Sequence, residues 1–109
     1  MAEATFALGI DYGTESARAL LVDVADGREA ATAVYPYSNG VITERLPAAR
    51  TRLPAHDWAL QDPEDYLRAL DATVPACLKA AGIRGDQVIG IATDFTACTM
   101  LPVRRADAR

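Results

Sequence analysis

The residues best suited to chemistry lie in one short polar stretch, Gly9-Ile10-Asp11-Tyr12-Gly13-Thr14-Glu15-Ser16. It follows the apolar run Phe6-Ala7-Leu8 and leads into Ala19-Leu20-Leu21-Val22, so it reads as a turn between two strands rather than the mouth of a helix. Two common phosphate devices are thereby excluded. A P-loop closes on Gly-Lys followed by Ser or Thr, and a dinucleotide fold opens a helix on G-x-G-x-x-G; the stretch has neither. What remains is a strand ending in the carboxylate of Asp11, then a turn made of Gly13, Thr14, Glu15 and Ser16. Closely spaced backbone N–H groups in such a turn can form an anion-binding nest, to which Thr14 and Ser16 add hydroxyl donors. Asp11 can hold a magnesium ion, directly or through water, because that hard cation prefers oxygen ligands. A polar hairpin turn with no ligand has the same composition, and these eight residues leave both readings open.

The elements that must position this turn follow from periodicity. Thr5 to Ile10 is a nearly continuous apolar run, which predicts a strand covered on both faces. Ala17 to Val24 predicts a second strand, Asp26-Gly27 a two-residue hairpin turn, and Arg28 to Val34 a third strand. Together they make an antiparallel β-meander. From Tyr35 to Leu60 the periodicity breaks at Pro36, Pro47 and Pro54. A segment of this length is an irregular excursion, with a small hairpin expected about Ser38-Asn39-Gly40 and at most a short strand at Val41-Ile42.

Asp62-Pro63-Glu64-Asp65 opens a helix: Asp62 caps it, Pro63 suits its first position, and two carboxylates meet the positive end of its dipole. Leu67, Leu70, Val74, Leu78 and Ala81 recur at spacings of three and four, predicting the buried face. Pro75 removes one hydrogen bond and should kink the helix, and Gly82 suits the left-handed position after it. Val88 to Ala92, ending in Thr93-Asp94, predicts a strand parallel to the first, reached by a right-handed crossover. Asp11 and Asp94 then lie at the same end of neighbouring strands, beyond which ligands of α/β sheets bind.

Composition bounds the class. The 109 residues are 50% hydrophobic and 24% charged, enough for one modest domain with a single core. A net charge of −4 gives no support to a nucleic-acid or anionic-membrane partner. No apolar run is long enough to span a bilayer, and the start Met1-Ala2-Glu3-Ala4 is acidic, unlike a secretory signal. Cys77 and Cys98 sit in apolar neighbourhoods without metal-ligand spacing, which predicts buried thiols and a cytoplasmic protein. The lone His56 lies between Pro54 and Asp57 with no partner to form a catalytic pair, so a surface role is expected. Trp58 is expected to plug the helix start against the sheet rather than stack on a ligand. Arg45, Arg50 and Arg52, interrupted by prolines, read as a solvated loop. Nothing beside Cys98 would lower its pKa, which argues against a nucleophilic role.

The turn Gly9–Ser16 resembles the first phosphate motif of the FGGY sugar kinases, which share an actin-like, ribonuclease H-like ATPase fold. The meander, the excursion, Trp58-x-x-Gln61-Asp62-Pro63 at the helix start and the strand ending in Asp94 are similar to that family in its order. Tyr12-Gly13-Thr14-Glu15-Ser16, His56-x-Trp58-Ala59-Leu60-Gln61 and Asp94-Phe95-Thr96-Ala97-Cys98-Thr99-Met100-Leu101-Pro102-Val103 narrow the likeness to the branch acting on L-ribulose. The likeness implies the amino-terminal part of a first lobe, an incomplete domain whose second lobe and adenine pocket are absent. Arg104-Arg105-Ala106-Asp107-Ala108-Arg109 departs from the acidic-Gly turn usual there.

The reaction implied is transfer of the γ-phosphoryl group of ATP to the terminal hydroxyl of L-ribulose. By the resemblance, Asp11 positions Mg²⁺, Gly13, Thr14, Glu15 and Ser16 hold the polyphosphate, and Thr96 and Ala97 face the sugar. The small side chain of Ala97 leaves room for a ketose hydroxyl. The general-base aspartate is expected further along the parent, so the piece alone is expected to be inactive. The parent's partners are a ketopentose and ATP, with assembly as a homo-oligomer also compatible. Alternatives are a xylulose or other polyol kinase, or an inactive truncated module that binds partners through an exposed sheet edge. For Thr96-Ala97-Cys98-Thr99, a packed turn after a buried strand is the plain alternative.

Overall fold

A computed structural model describes residues 2–55 and 57–109. The start residue Met1 and the surface role expected of His56 lie outside the described residues. Four strands form one mixed sheet: β1 (Phe6–Tyr12), β2 (Ser16–Asp23), β3 (Glu29–Pro36) and β4 (Val88–Phe95), with the helix α1 (Pro63–Ala81) between β3 and β4 in sequence. Their spatial order is β3-β2-β1-β4. The first three strands are antiparallel neighbours, and β4 pairs parallel to β1.

Two turns differ from expectation. Five residues, Val24 to Arg28, join β2 to β3, closed by Gly27 N–H to Asp23 O at 2.8 Å and Asp23 N–H to Arg28 O at 2.9 Å. Among the central residues Gly27 alone takes a positive φ, 75°, whereas a two-residue turn of the primed type needs two such positions. The expected hairpin about Ser38-Asn39-Gly40 is not formed. Asn39 is instead drawn to the start of α1, its amide N–H donating to Asp65 Oδ2 and its side chain to Asp62 Oδ2. The hairpin of the excursion lies further on, where Ile42 pairs with Leu60 and Arg45 with Arg52, all antiparallel. Buried Ile42 and Leu53 give it a small apolar footing, and the three arginines of that loop are exposed as expected.

The cap of α1 is as read: Asp62 accepts from Glu64 N–H, and Gly82 stands left-handed at the far end. The helix runs through Pro75 as one element. Its buried face, however, is Asp65, Ala69, Thr73 and Cys77, while Leu67 is 56% exposed. The sheet below explains the shift. Ala17 and Ala19 are fully buried, and Ala31 and Ala33 pack beside them, so small residues on both sides let the helix approach closely. Leu70 and Val74 flank this contact and reach the main cluster of Phe6, Leu8, Ile10 and Leu21.

With one helix on one face, the sheet is covered on one side. Accordingly β1 alternates buried and open positions instead of being buried on both faces. The edge strand β4 keeps Ile89, Ile91 and Phe95 more than 60% exposed. Among the described residues no helix is long and apolar enough to cross a membrane.

Candidate functional site

The site is built where β1 ends. Asp11 stands opposite Asp94 in the parallel register and opposite Arg18 in the antiparallel one. Paired positions of neighbouring strands share a face, so the two residues lie side by side on the face away from α1. Asp11 is exposed and Asp94 Oδ1 accepts from the Phe95 amide at 2.9 Å. Magnesium retains several waters and takes one or two carboxylates with substrate phosphates. This pair fits that demand, and among the described residues no group of three or more His, Cys, Asp or Glu gathers to hold a metal on protein ligands alone.

The turn Gly13-Thr14-Glu15 joins β1 to β2 with no helix following it. The Gly13 N–H donates to Ser16 O at 2.8 Å, and a Cβ on Gly13 would meet that same oxygen at 2.9 Å. Glycine is required there by that contact. Each of the next three carbonyls is taken up by a residue distant in sequence. Tyr37 OH donates to Gly13 O at 2.9 Å, Gln61 Nε2 to Thr14 O at 2.9 Å, and Tyr37 N–H to Glu15 O at 3.0 Å. Sequence reasoning missed Tyr37 and Gln61 as parts of the site. Gln61 lies in the stretch Trp58-x-x-Gln61-Asp62-Pro63, whose pattern signals only the start of a helix.

Three tyrosines brace the underside. Tyr66 packs edge-on against Tyr12 and Tyr37, with ring centroids 5.4 and 5.7 Å apart. Tyr66 OH donates to Gln61 Oε1, and Tyr12 OH to Tyr66 O at 3.2 Å. Burial, with smaller contributions from Tyr66, Tyr12, Asp11 and Asp65, pushes the Tyr37 phenol up to about 12. It therefore stays a hydrogen-bond donor at neutral pH.

After β4 the chain turns at Thr96, whose N–H donates to Tyr12 O at 3.1 Å. Thr96 Oγ1 lies 3.4 Å from Thr99 Oγ1, and Cys98 takes a left-handed φ of 65°. Cys98 is thus exposed on a turn, correcting the expected burial, while Cys77 is fully buried under the sheet. Thr14, Gln61, Tyr66, Thr96 and Ala97 line one open cleft of about 710 Å³. The structure so brings Thr14 of the first turn and the turn after β4 to a common space, whose lining does not include Asp11, Gly13, Glu15 or Ser16. Trp58 does not plug the helix start. It is 47% exposed in the excursion, because the Tyr12–Tyr37–Tyr66 cluster already fills that space.

No protein-family model matches the chain. Among curated proteins it is similar to a ribulokinase of Halalkalibacterium halodurans, 53% identical over 98 residues, which are 90% of this chain and 17% of that protein. A ribulokinase of Geobacillus thermodenitrificans is 54% identical over the same extent. The chain thus spans about a sixth of the length of the curated relatives it matches. Among solved structures it is similar to a "xyloylose kinase" from Brucella ovis, with a TM-score of 0.64 at 24% identity, covering 84% of this chain and 16% of the other. That likeness shows a shared fold with part of a sugar kinase.

Proposed function

We propose that this chain is one part of a longer kinase of the actin-like ATPase fold, which transfers the γ-phosphoryl group of ATP to the terminal hydroxyl of L-ribulose. The observation that carries the reading is a juxtaposition. Thr14, from a turn suited to phosphate, and Thr96 with Ala97, from the turn after β4, line the same cleft. Identity of 53% to a ribulokinase supports the choice of sugar.

Phosphoryl transfer asks for charge neutralisation and alignment more than for covalent chemistry. Main-chain amides of Thr14 and Glu15, with the hydroxyls of Thr14 and Ser16, would hold the polyphosphate. Mg²⁺, when bound, neutralises charge on the β- and γ-phosphates, and Asp11 with Asp94 beside it would hold that ion. Thr96 and the backbone about Ala97 would orient the ketopentose, since a methyl group leaves the sugar hydroxyls access to main-chain partners. On this reading the longer protein works in the cytoplasm on two small molecules.

In the full-length kinase, Asp11→Ala and Thr14→Ala should each lower kcat by about two orders of magnitude, because preorganised electrostatic contacts are the largest catalytic contribution. Near-normal turnover in both variants rejects the assignment. Xylulose is the competing acceptor, favoured by the fold likeness. Comparison of kcat/KM for the two ketopentoses decides between them: a preference for xylulose overturns the ribulose assignment and leaves the kinase reading standing.

A further inference from the structure

We infer that Tyr37 and Gln61 are positioning residues, which aim the Thr14 and Glu15 amides at the phosphates of the nucleotide. The inference rests on the phosphate-holding reading of the turn and adds what makes that turn competent. In a trans peptide the carbonyl and the following N–H point in opposite directions. No cis peptide occurs among the described residues. Fixing a carbonyl toward the protein therefore fixes the next N–H away from it.

Tyr37 OH holds Gly13 O, which turns the Thr14 N–H outward; Gln61 Nε2 holds Thr14 O, which turns the Glu15 N–H outward. Neither of these two amides donates a hydrogen bond among the described residues. The holders are themselves held. Tyr37 is 8% exposed, with its own amide bonded to Glu15 O. Gln61 has its Oε1 occupied by Tyr66 OH, so its Nε2 end faces the turn. Two unpaired amides on consecutive peptides, each aimed from behind, make a preorganised anion contact rather than a loose polar turn.

The test uses the full-length kinase with Tyr37→Phe and Gln61→Leu, each of which removes one donor and keeps most of the side-chain volume. Each should raise the KM for MgATP roughly fivefold, the worth of one neutral hydrogen bond. Binding of ribulose alone, followed by tryptophan fluorescence, should stay within about twofold in Tyr37→Phe, since Tyr37 does not line the cleft that holds Thr96 and Ala97. A second readout is independent of turnover. With ¹⁵N label in threonine and glutamate, the Thr14 and Glu15 amide resonances should shift on addition of MgADP in the parent, and shift less in the variant behind each.

Equal KM for MgATP and equal amide shifts in parent and both variants overturn the inference. If Tyr37→Phe loses stability, the more open Gln61→Leu decides by itself. Asp11→Ala and Thr14→Ala separate the two failures. Crippled turnover in that pair with unchanged nucleotide affinity in Tyr37→Phe and Gln61→Leu sinks the positioning role alone; normal turnover in that pair sinks both.

Discussion

The phenol of Tyr37 joins stability to the geometry of the turn. Its folded-state pKa of about 12 lies above the ordinary value of 10.0, chiefly through burial and secondly through Tyr66, Tyr12, Asp11 and Asp65. A raised pKa means that the folded chain favours the protonated form. The associated stability is fully present below pH 10 and is lost as pH rises toward about 12. Burial raises Tyr12 and Tyr66 in the same direction. Thermal melts between those limits should therefore fall steeply with pH, and Tyr37→Phe should flatten the slope; the same slope in both proteins rejects the assignment. Residues at this scale differed in how far sequence revealed them. Asp11 and Gly13 to Ser16 are contiguous, so their types alone suggested a phosphate turn. Tyr37 and Gln61 act on that turn from 24 and 47 positions away, through side chains whose partners are backbone carbonyls. Such a contact leaves no periodic trace, and only folding brings it into view.

Among the elements, α1 illustrates how a correctly bounded helix can sit rotated from its expected face, with part of that face still on the core. Its ends were legible because caps are local: Asp62, Pro63 and Gly82 act within a turn of their own positions. Its rotation was legible only in part: Leu70, Val74 and Ala81 of the apolar stripe pack on the core, but the partner surface set the centre of the contact. That surface is lined by Ala17 and Ala19, so Ala69, Thr73 and Cys77 face it and Leu67 turns to solvent. A large side chain at Ala69, which is 0% exposed, has no space to enter. Ala69→Leu should cost about 1–3 kcal/mol of stability by overpacking, whereas Leu67→Gln should stay within about 0.5 kcal/mol. Equal costs in denaturant unfolding would contradict this packing. Asp62→Ala should cost about 1 kcal/mol for the cap, and more because Asn39 also loses a partner at 2.8 Å. Through Asn39 the same carboxylate ties the excursion to the helix start, so the cap serves the wall of the cleft as well as α1.

At the scale of the whole molecule, the same asymmetry governs solution behaviour. Helix α1 shields β2 and β3, leaving β4 at an edge with its apolar side chains open: Ile89 63%, Ile91 65% and Phe95 66% exposed. The radius of gyration is 17.0 Å, against about 13 Å for a compact domain of this length. An edge strand offers unpaired N–H and C=O groups, and natural edges are blunted by Lys, Pro or short length. The eight residues of β4 contain neither Lys nor Pro, and Asp94 at its far end is its sole charge. The net charge of −4 is too small to keep copies apart once salt screens it. The isolated chain should therefore associate through β4, its weight-average mass in sedimentation rising with protein concentration and more steeply at higher salt. Ile91→Lys places a charge in the middle of that edge and should return the chain toward the monomer at equal concentration. A concentration-independent monomer with a cooperative melt would show that the open strand is no interaction surface, and the same mass for Ile91→Lys would move the contact elsewhere on the chain.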